Sequence, residues 1–192
     1  MSLTRFLTTT PTSLINGKLV LSGATKIIIT PYSQGEIGST SYELEAIVAD
    51  SLAITQDDPE TNSIDCETSD TPIKTTKKEG AYNISMTNVD IQKTILTTVF
   101  GFVEKSITVG SGTVTAAVAP ESDTDRYACI EIVFGDDAEL VCPKVNLATK
   151  VDVSSVKSET VKCSIEGSCE LATIGTGAAA FKTPFFVVYP SA

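Results

Sequence analysis

The stretch Tyr42-Glu43-Leu44-Glu45-Ala46-Ile47-Val48-Ala49-Asp50-Ser51-Leu52-Ala53-Ile54 decides the fold class. Tyr42, Leu44, Ala46, Val48, Leu52 and Ile54 occupy even positions, with Glu43, Glu45 and Ser51 between them. Successive side chains of a strand point to opposite faces. A period of two held this long therefore predicts one long strand, or two strands bent at Asp50, with one face buried.

Strand signals continue on both sides. Lys18 to Ser22 and Lys26 to Thr30 are short apolar runs separated by Gly23-Ala24, predicting two paired strands or one bent strand. Tyr82, Ile84 and Met86 give another strand. Ile107 and Val109 lead through Gly110-Ser111-Gly112 to Val114, Ala116 and Val118, and Ile130, Ile132 and Phe134 through Gly135-Asp136-Asp137 to Leu140 and Cys142. Val161, Cys163 and Ile165 form a further run, and Phe185 to Tyr189 close the chain. One segment has helical spacing: Ile91, Ile95, Leu96, Val99 and Phe100 make an apolar stripe stopped by Gly101, and Thr87 and Asp90 stand at capping-box spacing before it. The expected fold is a single mainly β domain over residues 1–192. It has two packed antiparallel sheets (a sandwich or half-barrel), a flanking helix at about 88–100 and a long extended loop at 57–80.

That loop is the most unusual segment. Asp57-Asp58-Pro59 ends a strand, and beyond it Glu60, Asp65 and Glu67, with the polar Thr61 among them, make the outgoing half acidic. Pro72 and Ile73 then precede a basic return with Lys74, Lys77 and Lys78. A connection this long is uncommon in a compact domain and is usually functional. The charge split fits a self-paired hairpin or an arm reaching a neighbour.

The bulk numbers narrow the function classes. The chain of 192 residues can bury roughly 70% of its unfolded surface without a metal or disulfide staple. Its formal charge of -10 argues against gripping phosphates, because nucleic-acid affinity comes largely from Lys and Arg; it is compatible with a wall that a polyanion slides past, but a solubility role explains the same number and is the better default. Five cysteines (Cys66, Cys129, Cys142, Cys163, Cys169) leave at least one unpaired, which suits a reducing compartment. Cys163 and Cys169 flank Ile-Glu-Gly-Ser and could face each other across a hairpin, although small buried hydrophobes are the better expectation. The first residues lack an apolar run long enough for a signal peptide, and no stretch approaches bilayer-spanning length, so synthesis in a bacterial cytoplasm without membrane partners is expected.

The count of 0 histidines removes the commonest general base and metal ligand, and no Cys-x-x-Cys pair suggests zinc. Asp123 with Asp125, and Asp136 with Asp137 and Glu139, are better read as turn caps than as ion sites. The expectation is a non-enzymatic protein with no cofactor and no metal.

The run Leu52-Ala53-Ile54-Thr55-Gln56-Asp57-Asp58-Pro59-Glu60-Thr61, continued by Ile64-Asp65-Cys66-Glu67, Ser69-Asp70 and Pro72-Ile73, resembles the strand and long loop of major tail (tail tube) proteins of phages and prophages, particularly those of Bacteroidetes. These motifs cover about a tenth of the chain; the order of strand, long loop, strand, helix and strands covers most of it. The resemblance implies the fold shared with type VI secretion tube proteins, and hexameric rings stacked into a virion tube through which DNA passes without specific binding. Its partners would be further copies and other tail proteins: tape measure, terminator and, in contractile tails, sheath. The arm would then cross to an adjacent subunit or ring, with Asp57, Asp58, Pro59, Glu60, Thr61, Asp65, Glu67, Pro72, Ile73, Lys74, Lys77 and Lys78 at the interface. Two other readings stay open: a monomeric or surface β-sandwich binding module of adhesin or pilin type, and the tube subunit of a secretion or contractile injection system.

Overall fold

The computed structural model describes residues 23–33, 35–44, 47–66, 69–88, 92–121, 125–135, 138–152 and 162–188, with backbone alone for 64–66, 69–74 and 179. The expected strand at 18–22 lies outside the described residues. The fold is mainly β, with one small helix and several antiparallel sheets in a sandwich-like arrangement and no closed barrel among the described residues. The strands are β1 (Ala24–Ser33), β2 (Glu36–Ile37), β3 (Tyr42–Leu44), β4 (Ala53–Gln56), β5 (Glu60–Cys66), β6 (Ser69–Lys78) and β7 (Tyr82–Asn88). After helix α1 (Lys93–Thr98) come β8 (Val103–Val109), β9 (Gly112–Val118), β10 (Arg126–Phe134), β11 (Glu139–Asp152), β12 (Lys162–Cys169), β13 (Ala172–Ile174), β14 (Phe181–Thr183) and β15 (Phe186–Val188).

The largest sheet runs β2-β1-β10-β11-β12-β7-β4, with β3 added on β1 and β15 on β11. Its spine is β11, which pairs with β15 over Glu139–Val141 and with β12 over Val145–Asp152. The change of partner falls at a bulge: Ile130 of β10 faces Cys142, yet Ala128 faces Val145, leaving an extra residue in β11 at Pro143-Lys144. Proline cannot donate to a ladder and is tolerated where pairing is interrupted. The strand bends there, and residues from both ends of the sheet meet in one core: Ile27 and Ile29 of β1, Ile84 and Met86 of β7, Ile130 and Ile132 of β10, and Ile165 of β12. Ile95, Val99 and Phe100 of the helical segment close over it. A second, smaller cluster on the opposite face joins Cys129 and Val141 to Ile37, Phe186 and Val188, so the centre of β10 and the start of β11 are buried on both sides.

Among the described residues, only the ends of the period-two stretch are strand, β3 at Tyr42–Leu44 and β4 from Ala53; between them the chain turns at Asp50, which takes a left-handed φ of 59°. The helix is shorter than its stripe and is not capped at Thr87. Thr87 and Asn88 belong to β7 because Asn88 pairs with Cys163 of β12 and the Thr87 N–H is held by Ser51 Oγ at 3.1 Å, with Gln92 as the residue preceding the helix. Long-range pairing overrides the local capping signal. Gly101 ends the helical segment with φ 69°, as its position predicts. Cys163 and Cys169 lie in one continuous strand rather than on either side of a turn, and Cys129, Cys142, Cys163 and Cys169 are buried and form no disulfide. Hydrogen bonding to Cys169 and burial push the Cys142 thiol well above the usual thiol range, as expected of a small core hydrophobe.

Tyr32 clamps the bulge: its hydroxyl donates to the Pro143 carbonyl at 2.8 Å. Burial, followed by the charges of Cys129 and Glu170, pushes its pKa up to about 12. A phenol whose folded pKa exceeds its unfolded value contributes stability below the unfolded value and loses it as pH rises through the folded one. Stability should therefore fall between about pH 10 and about pH 12. Tyr32→Phe is expected to cost about 1 kcal/mol at neutral pH. It should also delete the highest-pH step from the native phenol absorbance titration; an unchanged titration would refute the assignment.

Candidate assembly surface

The segment singled out by its charge pattern is a hairpin. β5 and β6 pair with each other and with no other strand among the described residues. Their register sets Glu60 opposite Lys78, Thr61 opposite Lys77, Ile64 opposite Lys74 and Cys66 opposite Ser69, with an irregularity between Ile64 and Cys66. The acidic outgoing and basic returning halves thus lie side by side, and Glu60 beside Lys78 is a favourable cross-strand pairing. Asp57, Asp58, Pro59, Glu60, Thr61, Lys77 and Lys78 are all exposed. Asp65, Pro72, Ile73 and Lys74 lie in the paired strands, where only the backbone is described, and Glu67 lies outside the described residues.

The neck of this arm is tightly made. The Asp57 N–H donates to the Ala81 carbonyl at 2.9 Å, and Asn83 Nδ2 donates to Asp57 Oδ1 at 2.9 Å. Gly80 packs directly on the Asp57 backbone: a Cβ there would lie 1.7 Å from the Asp57 carbonyl oxygen. The arm is therefore anchored where β4 leaves the sheet and β7 enters it. No reading of composition could have found the neck, because it depends on a backbone approach between residues far apart in sequence.

Beside the neck lies a polar sheet face that the sequence reading also missed. Thr55 of β4, Asn83 and Ser85 of β7, Glu166 and Ser168 of β12, and Asn146 and Ala148 of β11 share one side by register. With Asp125 they line a shallow depression whose charged members are both carboxylates. Farther along the same face, Lys144 Nζ is held by Glu170 Oε2 at 2.5 Å and sits 4.4 Å from the centre of the Tyr127 ring. The hydrogen bond to Glu170 is the main reason Lys144 holds its proton more strongly than usual.

Among the described residues, no group of three or more His, Cys, Asp or Glu is placed to hold a metal. Asp123, Asp136 and Asp137 lie outside the described residues; Asp125 is exposed and Glu139 is buried. No helix is long and apolar enough to cross a membrane among the described residues.

No protein-family model matches the chain, and no curated protein matches it. Among solved structures it is similar to a chain in the 6-fold symmetrised cryo-EM structure of the anti-feeding prophage (AFP) baseplate, with a TM-score of 0.43 and 6% identity over 89% of this chain and 97% of that one. At this level the likeness carries no argument about function.

Proposed function

We propose that this chain is the repeating structural subunit of a phage-type tail tube, self-assembling into hexameric rings that stack around a DNA channel. The observation that carries the reading is the 57–80 arm: a self-paired hairpin, exposed at its base and held at a hydrogen-bonded neck, in the segment whose sequence resembles tail tube proteins. A two-stranded hairpin without a supporting sheet is at best marginally stable in water, so it gains most by lying on another surface. The largest sheet ends at β4 on one side and at β2 and β3 on the other, and such edges suit lateral joining of subunits. A head-to-tail lateral contact closes a ring, while a second, axial contact does not close and so builds a filament. The polar face beside the neck, with short side chains and the carboxylates Asp125 and Glu166, suits a channel wall that does not retain DNA.

Electron microscopy of concentrated protein tests this reading. The unmodified chain is expected to form rings or hollow striated tubes. Replacing residues 57–59 and 74–78 with Gly and Ser should leave a folded protein that forms none. Tubes of normal length from that variant would remove the arm from the assembly.

A further inference from the structure

The hairpin of β8 and β9 stands out from the body, with all of β8 and residues 112–115 of β9 exposed. Val103, Lys105, Ile107 and Val109 share one face, and the register places Val118, Ala116, Val114 and Gly112 opposite them, so Lys105 is its one charged residue. The other face carries Glu104, Ser106, Thr108, Thr113 and Thr115. It is this polar face that is tied to the body: Lys93 of α1 meets Glu104, Nζ to Oε1 3.0 Å. Val103, Ile107, Val109 and Val114 are 53%, 44%, 62% and 51% exposed. An amphipathic hairpin normally buries its apolar side, and a contiguous apolar face of a few hundred Å² turned to water marks an interaction surface.

The chain itself offers a complementary surface elsewhere. Leu171, 66% exposed, stands on an open cleft with Tyr82, Pro184 and Phe185, and Glu79 lies on the same cleft beside the arm's neck. Phe185 is fixed there by an edge-on contact with Tyr82, ring centres 5.0 Å apart. The local charges favour a second copy as occupant. The cation within the hairpin's apolar face would meet the Glu79 carboxylate beside the apolar cleft, a local complementarity that works against the like net charge of -10 on both copies. We infer that the apolar face of the β8–β9 hairpin docks on the Leu171–Phe185 cleft of a second copy of this chain, with Lys105 directed to Glu79. Because the two surfaces differ, the contact is head-to-tail and propagates from copy to copy. Seven-residue strands give a face about 24 Å long, so the hairpin supplies part of the roughly 800 Å² per partner of a standard interface and adjoining surface completes it. The inference does not depend on the tube reading, since a head-to-tail contact also builds closed rings or short oligomers.

Two variants and their mixture test it by sedimentation over a range of concentrations. The unmodified protein is expected to associate. Ile107→Asp with Val114→Asp blocks the hairpin, Leu171→Asp blocks the cleft, and each variant alone should be monomeric. Mixed in equal amounts they should form one-to-one dimers, because one intact hairpin and one intact cleft remain. Thr108→Asp, on the polar face, should associate like the unmodified chain. Association of the hairpin variant at unchanged concentration, or a mixture that stays monomeric, would overturn the inference. So would an unmodified chain that is monomeric throughout, or a hairpin variant melting well below the dilute unmodified protein, since the face would then be covered within its own chain. Mixed dimers from the two variants, with an unmodified chain that associates yet shows no rings or tubes in the electron microscope, would sustain this contact and remove the tube reading. Tubes built from the hairpin variant would do the reverse.

Discussion

Gly167→Ala is expected to destabilise the folded chain by about 3 kcal/mol, and Gly167→Val to prevent folding. Gly167 takes the inward position between Ile165 and Cys169 in β12, opposite Leu147 of β11 and Ile84 of β7. A Cβ there would lie 2.4 Å from Val145 Cγ1 and 2.7 Å from the Asn146 carbonyl oxygen. Neither neighbour can yield easily. Val145 is fully buried, and Asn146 is backbone paired with Ser168 in the central ladder. The added methyl therefore strains the join between the two strands on which the sheet depends. The gain in strand propensity from glycine to alanine is smaller than this overpacking cost. Thermal melting should drop by about 6–12 °C for a chain of this size. In urea the midpoint should fall with the slope preserved. Val145→Ala combined with Gly167→Ala should cost less than the sum of the two, because the second deletion removes the atom in the way. A melting temperature within about 2 °C of the unmodified protein would show that the strands separate more easily than this packing allows.

The parts of the fold legible in the sequence are those governed by local alternation and turn chemistry. The even-numbered apolar positions from Tyr42 to Ile54 mark a strand at each end, β3 and β4, with a turn between them in which Asp50 tolerates the left-handed bend. The turns at Gly110-Ser111 and after Phe134 likewise fall where they were expected. What escaped is set by contacts distant in sequence. Thr87 and Asn88 carry a helix-capping signal but extend β7, since β12 supplies pairing partners that no local window contains. The alternation at Ile107 and Val109 predicts a strand correctly and says nothing of whether its apolar face is covered; it is exposed. The charge pattern of 57–80 identified the arm, and both of its halves were visible in composition. Its pairing register and its neck were not, because Glu60 meets Lys78 and Gly80 meets Asp57 only once the chain has turned back.

That neck makes Gly80→Ala the sharpest single test of whether the arm acts in assembly. The new Cβ would meet the Asp57 carbonyl oxygen at 1.7 Å and its carbon at 2.4 Å, and both are backbone, so the two chain segments must move apart. Opening the neck strains the Asp57 N–H bond to the Ala81 carbonyl and the Asn83 bond to Asp57 Oδ1. The neck lies at the exposed end of β7, where Ala81 is exposed and Asn83 half-buried, and the buried core begins only at Ile84, so the cost to the body should stay near 1–2 kcal/mol. The consequence for assembly should be larger. An arm released from its fixed exit direction must be reoriented on every docking, and ordering flexible segments at an interface weakens association. The protein concentration at which light scattering first reports assembly is expected to rise at least tenfold, equivalent to about 1.4 kcal/mol per contact. Asn83→Ala, which removes only the side-chain bond, should give a smaller rise in the same direction. If Gly80→Ala lowers the melting temperature but assembles at the unmodified concentration, the neck serves the fold alone and the arm does not carry the contact. A raised threshold with a nearly unchanged melt would instead separate assembly from stability at one residue, the separation expected of an arm built to reach another subunit.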